Sequence, residues 1–270
     1  MRYKRTLIII GGAEDKRGKK EILKEVCASI NKENDRLLIS TLATESPEEV
    51  GASYKSLFSE LGVKNISLLN IVNRPESFKE ENVNLIKEAQ LIFFTGGDQL
   101  KITSLIGGTP VGEMLKDRYN AGCVYVGTSA GASAVSNNMI VAGDDEESPK
   151  KCTLKMSPGL GLIENVIIDQ HFAQRGRIGR ILAGIAQNPF ILGIGIDEDT
   201  AMIVNNNSIL KVIGSGAIYI IDGREITYTN VSEQYQEEVL SIFNVKMHIL
   251  KRGNAFDLIK REPIEEEDSQ

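Results

Sequence analysis

The sequence predicts an α/β protein built on a mostly parallel, doubly wound sheet flanked by helices, with antiparallel hairpin strands in its C-terminal third. Short β-branched apolar runs alternate with amphipathic stretches through the first half of the chain. Glycine pairs directly follow two of these runs, as expected where a buried strand turns sharply. After residue 200, short apolar runs are instead joined by turns rich in asparagine and glycine, which is typical of antiparallel hairpins.

Strands and helices are predicted in strict alternation before residue 127, which favours parallel pairing with helices on both faces of the sheet. The predicted strands are short apolar runs, at residues 7–10, 36–42, 65–72, 91–95 and 123–126. The predicted helices have apolar residues at helical spacing, and they cover 20–31, 47–61, 77–89 and 101–120. The later hairpin strands are predicted at 201–204, 209–213 and 217–221.

The length and composition are typical of a soluble globular protein, with 270 residues, 41% hydrophobic and 25% charged. We expect a single α/β domain over residues 1–270, because no linker or repeat interrupts the pattern, with an acidic, frayed tail at 262–270. The net charge of −6 argues against nucleic acid as a partner. No apolar stretch reaches the length of a membrane-spanning helix, so no membrane partner is expected either.

The cysteines and the first glycine pair argue against a bound cofactor. Cys27, Cys123 and Cys152 are too far apart for a metal site and make no even disulfide framework. Such cysteines favour a reducing compartment, so we expect the protein in the cytoplasm. The glycines at 11–12 follow a strand but lack the full G-x-G-x-x-G pattern of a dinucleotide loop. The sequence therefore predicts neither a metal nor another cofactor.

The stretch G-T-S-A-G at residues 127–131 is the strongest indication of chemistry. It follows an apolar strand and precedes a run of small residues with helical spacing. In such a turn, called a nucleophile elbow, strained backbone exposes the Oγ of the central serine above the sheet. The alternative is a tight turn in which Ser129 only caps the helix. The strand and helix on either side favour the nucleophile.

A nucleophilic serine needs a base, and the chain contains only two histidines. His171 ends an apolar strand, whereas His248 lies inside a later strand pattern. In open parallel sheets the functional site lies at the carboxyl ends of the strands, which favours His171. The glycine-rich loops at 11–12 and 96–99 are expected at the same edge. The polar stretch at 143–156 is predicted to be a solvated loop.

The acid that orients the histidine is left open by the residues themselves. Asp197, Glu198 and Asp199 all follow another apolar strand, and each is a candidate. A solvated turn is the alternative for all three. A triad with the chain order of α/β-hydrolases, Ser129–Glu198–His248, is also formally possible.

Together these motifs resemble the cyanophycinases, serine peptidases related to aspartyl dipeptidase. The resemblance runs in order through about residues 6–204, and it rests on G-G-A-E-D-K (11–16), F-T-G-G-D-Q (94–99), G-T-S-A-G-A-S-A (127–134), P-G-L-G-L-I (158–163), D-Q-H-F…R-x-R-x-x-R (169–180) and G-I-D-E-D-T-A (195–201). The fifth string is the most specific, because aspartyl dipeptidases share the elbow but not this string. The fold implied is that of class I glutamine amidotransferases, which is flavodoxin-like.

The resemblance implies a role for each matching residue. Ser129 is the nucleophile, His171 the general base and Glu198 the acid. The backbone N–H groups of Gly97 and Ala130 form the oxyanion hole. The residues implied to line the substrate site are Gln99, Asp169, Gln170, Arg175, Arg177 and Arg180. The implied substrate is the polymer cyanophycin, no metal or cofactor is implied, and a homodimer is compatible with the resemblance.

The chemistry of the polymer agrees with this set of residues. Cyanophycin is a poly-aspartate backbone with arginine on each β-carboxyl, so every repeat is zwitterionic. The three arginines can bind carboxylates through bidentate forks. Asp169, or else Glu14 or Asp15, can bind the guanidinium. The alternative is that the arginines only cover a helix surface.

Two other functions compete with a cyanophycinase that releases β-Asp-Arg dipeptides through an acyl-enzyme. One is an aspartyl or isoaspartyl dipeptidase of the same family. The other is a catalytically silent binding relative of the glutamine amidotransferases. Those amidotransferases carry cysteine at the elbow, so a serine there, with His171 and Glu198 retained, favours an active hydrolase.

Overall fold

The computed structural model describes residues 5–143, 149, 154–206, 208–233 and 238–265. The strands are β1 (Thr6–Ile10), β2 (Arg36–Ser40), β3 (Asn65–Leu69), β4 (Leu91–Phe94), β5 (Val124–Thr128), β6 (Asn138–Ala142), β7 (Lys155–Pro158), β8 (Val166–Gln170), β9 (Leu192–Ile196), β10 (Thr200–Asn205), β11 (Ile209–Gly214), β12 (Ala217–Asp222), β13 (Tyr228–Thr229), β14 (Ile242–Phe243), β15 (Lys246–Lys251), β16 (Ala255–Asp257) and β17 (Glu262–Ile264). The helices are α1 (Glu21–Ala28), α2 (Pro47–Glu60), α3 (Glu80–Lys87), α4 (Gln99–Ile106), α5 (Pro110–Asn120), α6 (Ala130–Ser133) and α7 (Ile178–Gln187), with 3-10 turns at Arg74–Phe78 and Ala173–Arg175.

The main sheet has nine strands in the order β17-β16-β11-β10-β1-β5-β4-β2-β3. The strands β1 to β5 pair in parallel, as predicted from the alternation of strands and helices. The strands β10, β11, β16 and β17 extend this sheet in antiparallel pairs, which confirms the predicted change of pattern after residue 200.

A second sheet of four strands, in the order β15-β12-β9-β8, was not predicted. Its strands β8 and β9 are parallel and fully buried, so their apolar sequences resemble those of β1 to β5. Burial on both faces removes the polar alternation that would distinguish one sheet from another. Which sheet such a strand joins is decided by pairing between residues far apart in the chain.

The core fills both faces of the main sheet. Alternate residues of β1 point to opposite sides, so Ile8 packs with α1 and α2 whereas Leu7 packs towards α4, α5 and the second sheet. The aromatic side chains Tyr54, Phe58 and Phe93 stack in the layer between α2 and the sheet. This packing fixes the end of β1, on which the site described below depends.

Two predicted elements differ from the structure in their bounds. The helix predicted over 101–120 is two helices, because α4 ends at Gly107 and Thr109 caps α5, accepting a hydrogen bond from the Gly112 N–H. The tail predicted to fray from residue 262 begins with β17, which pairs with β16. Residues 266–270, Cys152 and most of the polar stretch at 143–156 lie outside the described residues.

Candidate active site

Ser129 lies in the sharp turn between β5 and α6, with left-handed backbone angles (φ 52°, ψ −107°). Its N–H donates to the carbonyl of Ile10 at 3.1 Å, which ties the turn to the end of β1. A Cβ on Gly127 would stand 2.3 Å from the carbonyl oxygen of Gly131, so strand and helix pass too closely for any larger residue. The Ser129 side chain makes no capping hydrogen bond, contrary to the simple capping alternative.

His171 directly follows β8 and faces Ser129. Its Nε2 lies 3.0 Å from the Ser129 Oγ. Its backbone is also left-handed (φ 49°), and its N–H donates to the carbonyl of Gly11 at 2.8 Å. The other histidine, His248, lies on β15 and packs its ring edge-on against Phe256. The structure therefore brings His171, and not His248, to the elbow.

The three acids after β9 have different partners. Glu198 approaches His171, with its Oε1 2.6 Å from the Nδ1. Asp197 accepts hydrogen bonds from the N–H groups of Ala173 and Ala217, and so joins the two loops on either side. Asp199 accepts from the Asp15 N–H and the Ser215 hydroxyl. Only Glu198 thus extends the hydrogen-bonded pair of serine and histidine into a chain of three side chains.

The glycine pair after β1 positions this chain. The carbonyl of Gly12 accepts from the Asp199 N–H at 2.9 Å, next to Glu198, just as the carbonyl of Gly11 holds His171. Gly12 has φ +99°, and a Cβ there would lie 2.4 Å from the imidazole Cε1 of His171. The predicted tight turn is therefore a strap that aligns the base and the acid, and its second residue has no room for a side chain.

The Gly12→Ala variant is expected to lower kcat by on the order of 10² or more, because the methyl group displaces the imidazole from the Ser129 Oγ. The measurement is kcat together with the melting temperature. Gly108→Ala is the matched control, since Gly108 also has positive φ (+64°) but nothing within 4 Å of an added Cβ. An equal loss of activity in both variants would mean that backbone strain alone, and not the imidazole, is affected.

The electrostatics of the site keep His171 neutral. Burial lowers the pKa of the imidazole, and the positive charges of Arg175 and Arg177 lower it further. The hydrogen bond and the charge of Glu198 act in the opposite direction, but the net pKa is below the ordinary value of 6.5. A neutral imidazole that donates Nδ1–H to Glu198 leaves Nε2 free to accept the Ser129 proton.

Two backbone N–H groups predicted for the oxyanion hole lie beside the elbow. Ala130 begins α6, and the first N–H groups of a helix have no partner within it. Gly97 belongs to the loop after β4, with φ +140° and a carbonyl of Ala43 that a Cβ would approach to 2.1 Å. The preceding Gly96 brings this loop to 3.3 Å from the Ser129 Cβ, measured from an added Cβ.

The predicted substrate residues after His171 are mostly engaged with one another. Asp169 is fully buried and accepts two hydrogen bonds from the Arg180 guanidinium. Arg177 lies 3.3 Å from the same carboxylate and donates to the Gln170 side-chain oxygen at 2.8 Å. Only Arg175 is exposed. The prediction that each charge contacts substrate did not foresee this internal ion-pair network.

The remaining predicted residues are placed as follows. Gln99 begins α4, and its amide donates to the carbonyl of Ile140 at 2.8 Å. Asp15 accepts N–H bonds from the loop that follows it, at 2.7 Å from Gly18, and these bonds lower its pKa to about 2. Asp15 therefore organises the loop, whereas its neighbour Glu14 turns inward.

Glu14 belongs to a cluster that sequence reasoning did not assemble. Its buried carboxylate accepts hydrogen bonds from the Thr128 hydroxyl at 2.6 Å and from the Tyr54 hydroxyl. Lys16 lies beside it, 3.6 Å from its Oε1. The one indication in the sequence was the charged stretch E-D-K directly after the glycine pair.

This cluster and the catalytic pair share one cavity of about 260 Å³. It is lined by Ala13, Glu14, Lys16, Val50, Tyr54, Gly96, Thr128, Ser129 and His171. Within the described parts of the chain, no three His, Cys, Asp or Glu side chains are grouped to hold a metal ion. None of the described helices is long and apolar enough to cross a membrane.

Comparison with known proteins agrees with this geometry. The sequence profile of peptidase family S51 matches residues 7–212. A cyanophycinase from Geminocystis herdmanii (strain PCC 6308) is 36% identical over 260 residues, which cover 96% of this chain and 96% of that protein. A cyanophycinase from Thermosynechococcus vestitus (strain NIES-2133 / IAM M-273 / BP-1) is 34% identical over 257 residues, or 95% of this chain and 80% of that protein.

A solved structure supports the architecture. The crystal structure of a peptidase from an acI-B1 actinobacterium superposes with a TM-score of 0.69, covering 95% of this chain and 98% of the other. The two sequences are 22% identical, so this likeness concerns the fold alone.

Proposed function

Since the chain belongs to peptidase family S51, we propose that it acts as a cyanophycinase, a serine-type exopeptidase that hydrolyses cyanophycin to β-Asp-Arg dipeptides. The observation that carries the proposal is the hydrogen-bonded chain of Ser129, His171 and Glu198. The near full-length match to cyanophycinases supplies the substrate. The buried free thiols of Cys27 and Cys123 support a cytoplasmic location, and a homodimer stays a prediction.

The proposed reaction proceeds through an acyl-enzyme. The Ser129 Oγ attacks the backbone carbonyl of an aspartyl residue while His171 Nε2 takes its proton, and Glu198 stabilises the resulting imidazolium. The N–H groups of Gly97 and Ala130 donate to the oxyanion of the tetrahedral intermediate. His171 then gives the proton to the departing amine. A water molecule, deprotonated by the same imidazole, hydrolyses the ester and restores the serine.

The substrate residues divide into two groups in this proposal. Arg175 is exposed beside the catalytic histidine, and its planar guanidinium suits a substrate carboxylate. Gln99 and Gln170 supply amide groups to the same wall of the site. Asp169, Arg177 and Arg180 form the rigid support behind them, because their charges already neutralise one another. The support binds substrate through groups that the ion-pair network positions.

The proposal is tested by comparing kcat/KM for pure cyanophycin with kcat/KM for N-terminal aspartyl dipeptides. A cyanophycinase releases soluble dipeptide from the insoluble polymer and cleaves aspartyl dipeptides poorly. The reverse preference would identify an aspartyl or isoaspartyl dipeptidase. A silent binding relative would cleave neither substrate, and its Ser129 would fail to react with a serine-directed acylating reagent.

The pH dependence follows from the lowered pKa of His171. Because the neutral imidazole is the base, activity is lost only as pH falls through its pKa, so the acidic limb of kcat/KM is expected to have its midpoint below 6.5. Arg175→Gln removes a positive charge that lowers this pKa, and the midpoint is expected to rise. An uncharged activated ester is the substrate, so that loss of a substrate contact does not interfere.

The control for this pH shift is Arg74→Gln, because the Arg74 guanidinium is bound to the carbonyls of Ser104 and Gly107. It should leave the midpoint of the acidic limb in place. An unchanged midpoint in Arg175→Gln would show that the charge of Arg175 is not felt at the imidazole.

A further inference from the structure

The catalytic cavity has a second charged wall, formed by the loop after the glycine strap. Glu14 and Lys16 both line it, together with Tyr54 of α2 and Thr128 of the elbow. The mechanism above uses none of these four side chains. Their arrangement decides which kind of substrate group the wall can accept.

Glu14 is not available to bind a substrate cation. Its side chain is 1% exposed. One carboxylate oxygen takes the Thr128 hydroxyl and the other takes the Tyr54 hydroxyl. Burial and the adjacent Glu14 charge raise the pKa of Tyr54, so its phenol stays protonated and continues to donate. Glu14 therefore joins α2 to the elbow and provides a fixed negative charge beneath Lys16.

Lys16 is the group on this wall that reaches the open cavity. Its side chain is 44% exposed, and its Nζ lies 4.2 Å from the centre of the Tyr54 ring and 3.6 Å from Glu14 Oε1. The first contact is a cation–π interaction and the second is an ion pair longer than a hydrogen bond. An ammonium group has three N–H donors, so both contacts orient Lys16 without using them.

We infer that Lys16 is a specificity-determining residue that binds the free carboxylate of a substrate arginine beside the scissile bond. This inference rests on the proposed function. In cyanophycin the backbone carboxyls form peptide bonds and the β-carboxyls are joined to arginine. The carboxylate of each arginine is therefore the one free anion of an internal repeat. An ammonium in the cavity of Ser129 attracts this group and repels the guanidinium.

The location of Lys16 separates this role from that of Arg175. Lys16 lies on the side of Ser129 formed by α2 and the loop after β1, whereas Arg175 follows His171 on the other polypeptide segment. The charges that shift the pKa of His171 come from Arg175, Arg177 and Glu198. Lys16 is thus expected to act on substrate selection, and not on the titration of the base.

The test uses two synthetic substrates, a trimer of β-Asp-Arg with free arginine carboxylates and the same trimer with arginine carboxamides. The wild-type enzyme is expected to prefer the free carboxylates by about tenfold or more in kcat/KM, as one desolvated charge pair would give. Lys16→Met is expected to bring this ratio close to one. Lys16→Arg keeps the charge and should retain most of the preference.

Lys19→Met is the matched control, because Lys19 is an exposed lysine of the same loop and makes the same change in net charge. It should keep the wild-type ratio. A Lys16→Met enzyme that loses the same factor on both trimers would overturn the inference, since Lys16 would then only support the loop. A wild-type enzyme that cleaves neither the trimers nor cyanophycin would instead overturn the proposed function, and the inference with it.

Discussion

Ser129→Ala is expected to abolish peptide hydrolysis while the fold stays intact. The loss should be on the order of 10⁶ in kcat, the usual effect of removing the nucleophile of a triad. The substitution removes one oxygen, and it leaves in place the backbone N–H that donates to Ile10 and holds the turn. The measurement is the rate of soluble product release from cyanophycin, with the melting temperature recorded for both proteins.

The control for this variant is Ser133→Ala, which removes a serine hydroxyl from the same short helix. That enzyme should keep its activity on cyanophycin. If Ser129→Ala retained more than about a tenth of the wild-type turnover, the serine mechanism would be wrong, since triad members contribute far more than tenfold.

His171→Ala is expected to be nearly as damaging as the serine change, because the residues of a triad act as a unit. The Nε2 is the group placed to accept the Ser129 proton, at 3.0 Å. His248→Ala is the natural comparison, since it removes the other histidine of the chain. It deletes a ring packed against Phe256 and should change the free energy of unfolding at most.

The ranking of these two histidine variants decides between the two triads that the sequence allowed. Both kcat for cyanophycin and the melting temperature are measured for each variant. A crippling His248→Ala with an active His171→Ala would favour the triad with the chain order of α/β-hydrolases. It would also contradict the geometry at the elbow.

The parallel strands β1 to β5 and the elbow could be predicted because they depend on local patterns. Apolar runs, helical spacing and the glycines around Ser129 are each visible within a few residues of sequence. The separate sheet of β8, β9, β12 and β15 could not be predicted, because its strands carry the same buried pattern as the main sheet. Its pairing depends on contacts between distant segments.

The site was predicted to the same extent. The residues after β5, β8 and β9 were expected at one edge, but the sequence could not show that Asp169 and Arg180 would neutralise each other. Charges separated by eleven residues are equally compatible with a solvated helix and a buried pair. The cluster of Glu14, Tyr54 and Thr128 was missed for a related reason, since its members come from three distant segments.

The most direct test of the account is the identity of the soluble products that the pure enzyme releases from pure cyanophycin. Mass spectrometry of the supernatant separates β-Asp-Arg dipeptide from free arginine, and so reports which bond is cleaved. Attack by Ser129 on backbone carbonyls predicts β-Asp-Arg dipeptide as the main product. Free arginine with poly-aspartate left behind, or no soluble product at all, would contradict the account.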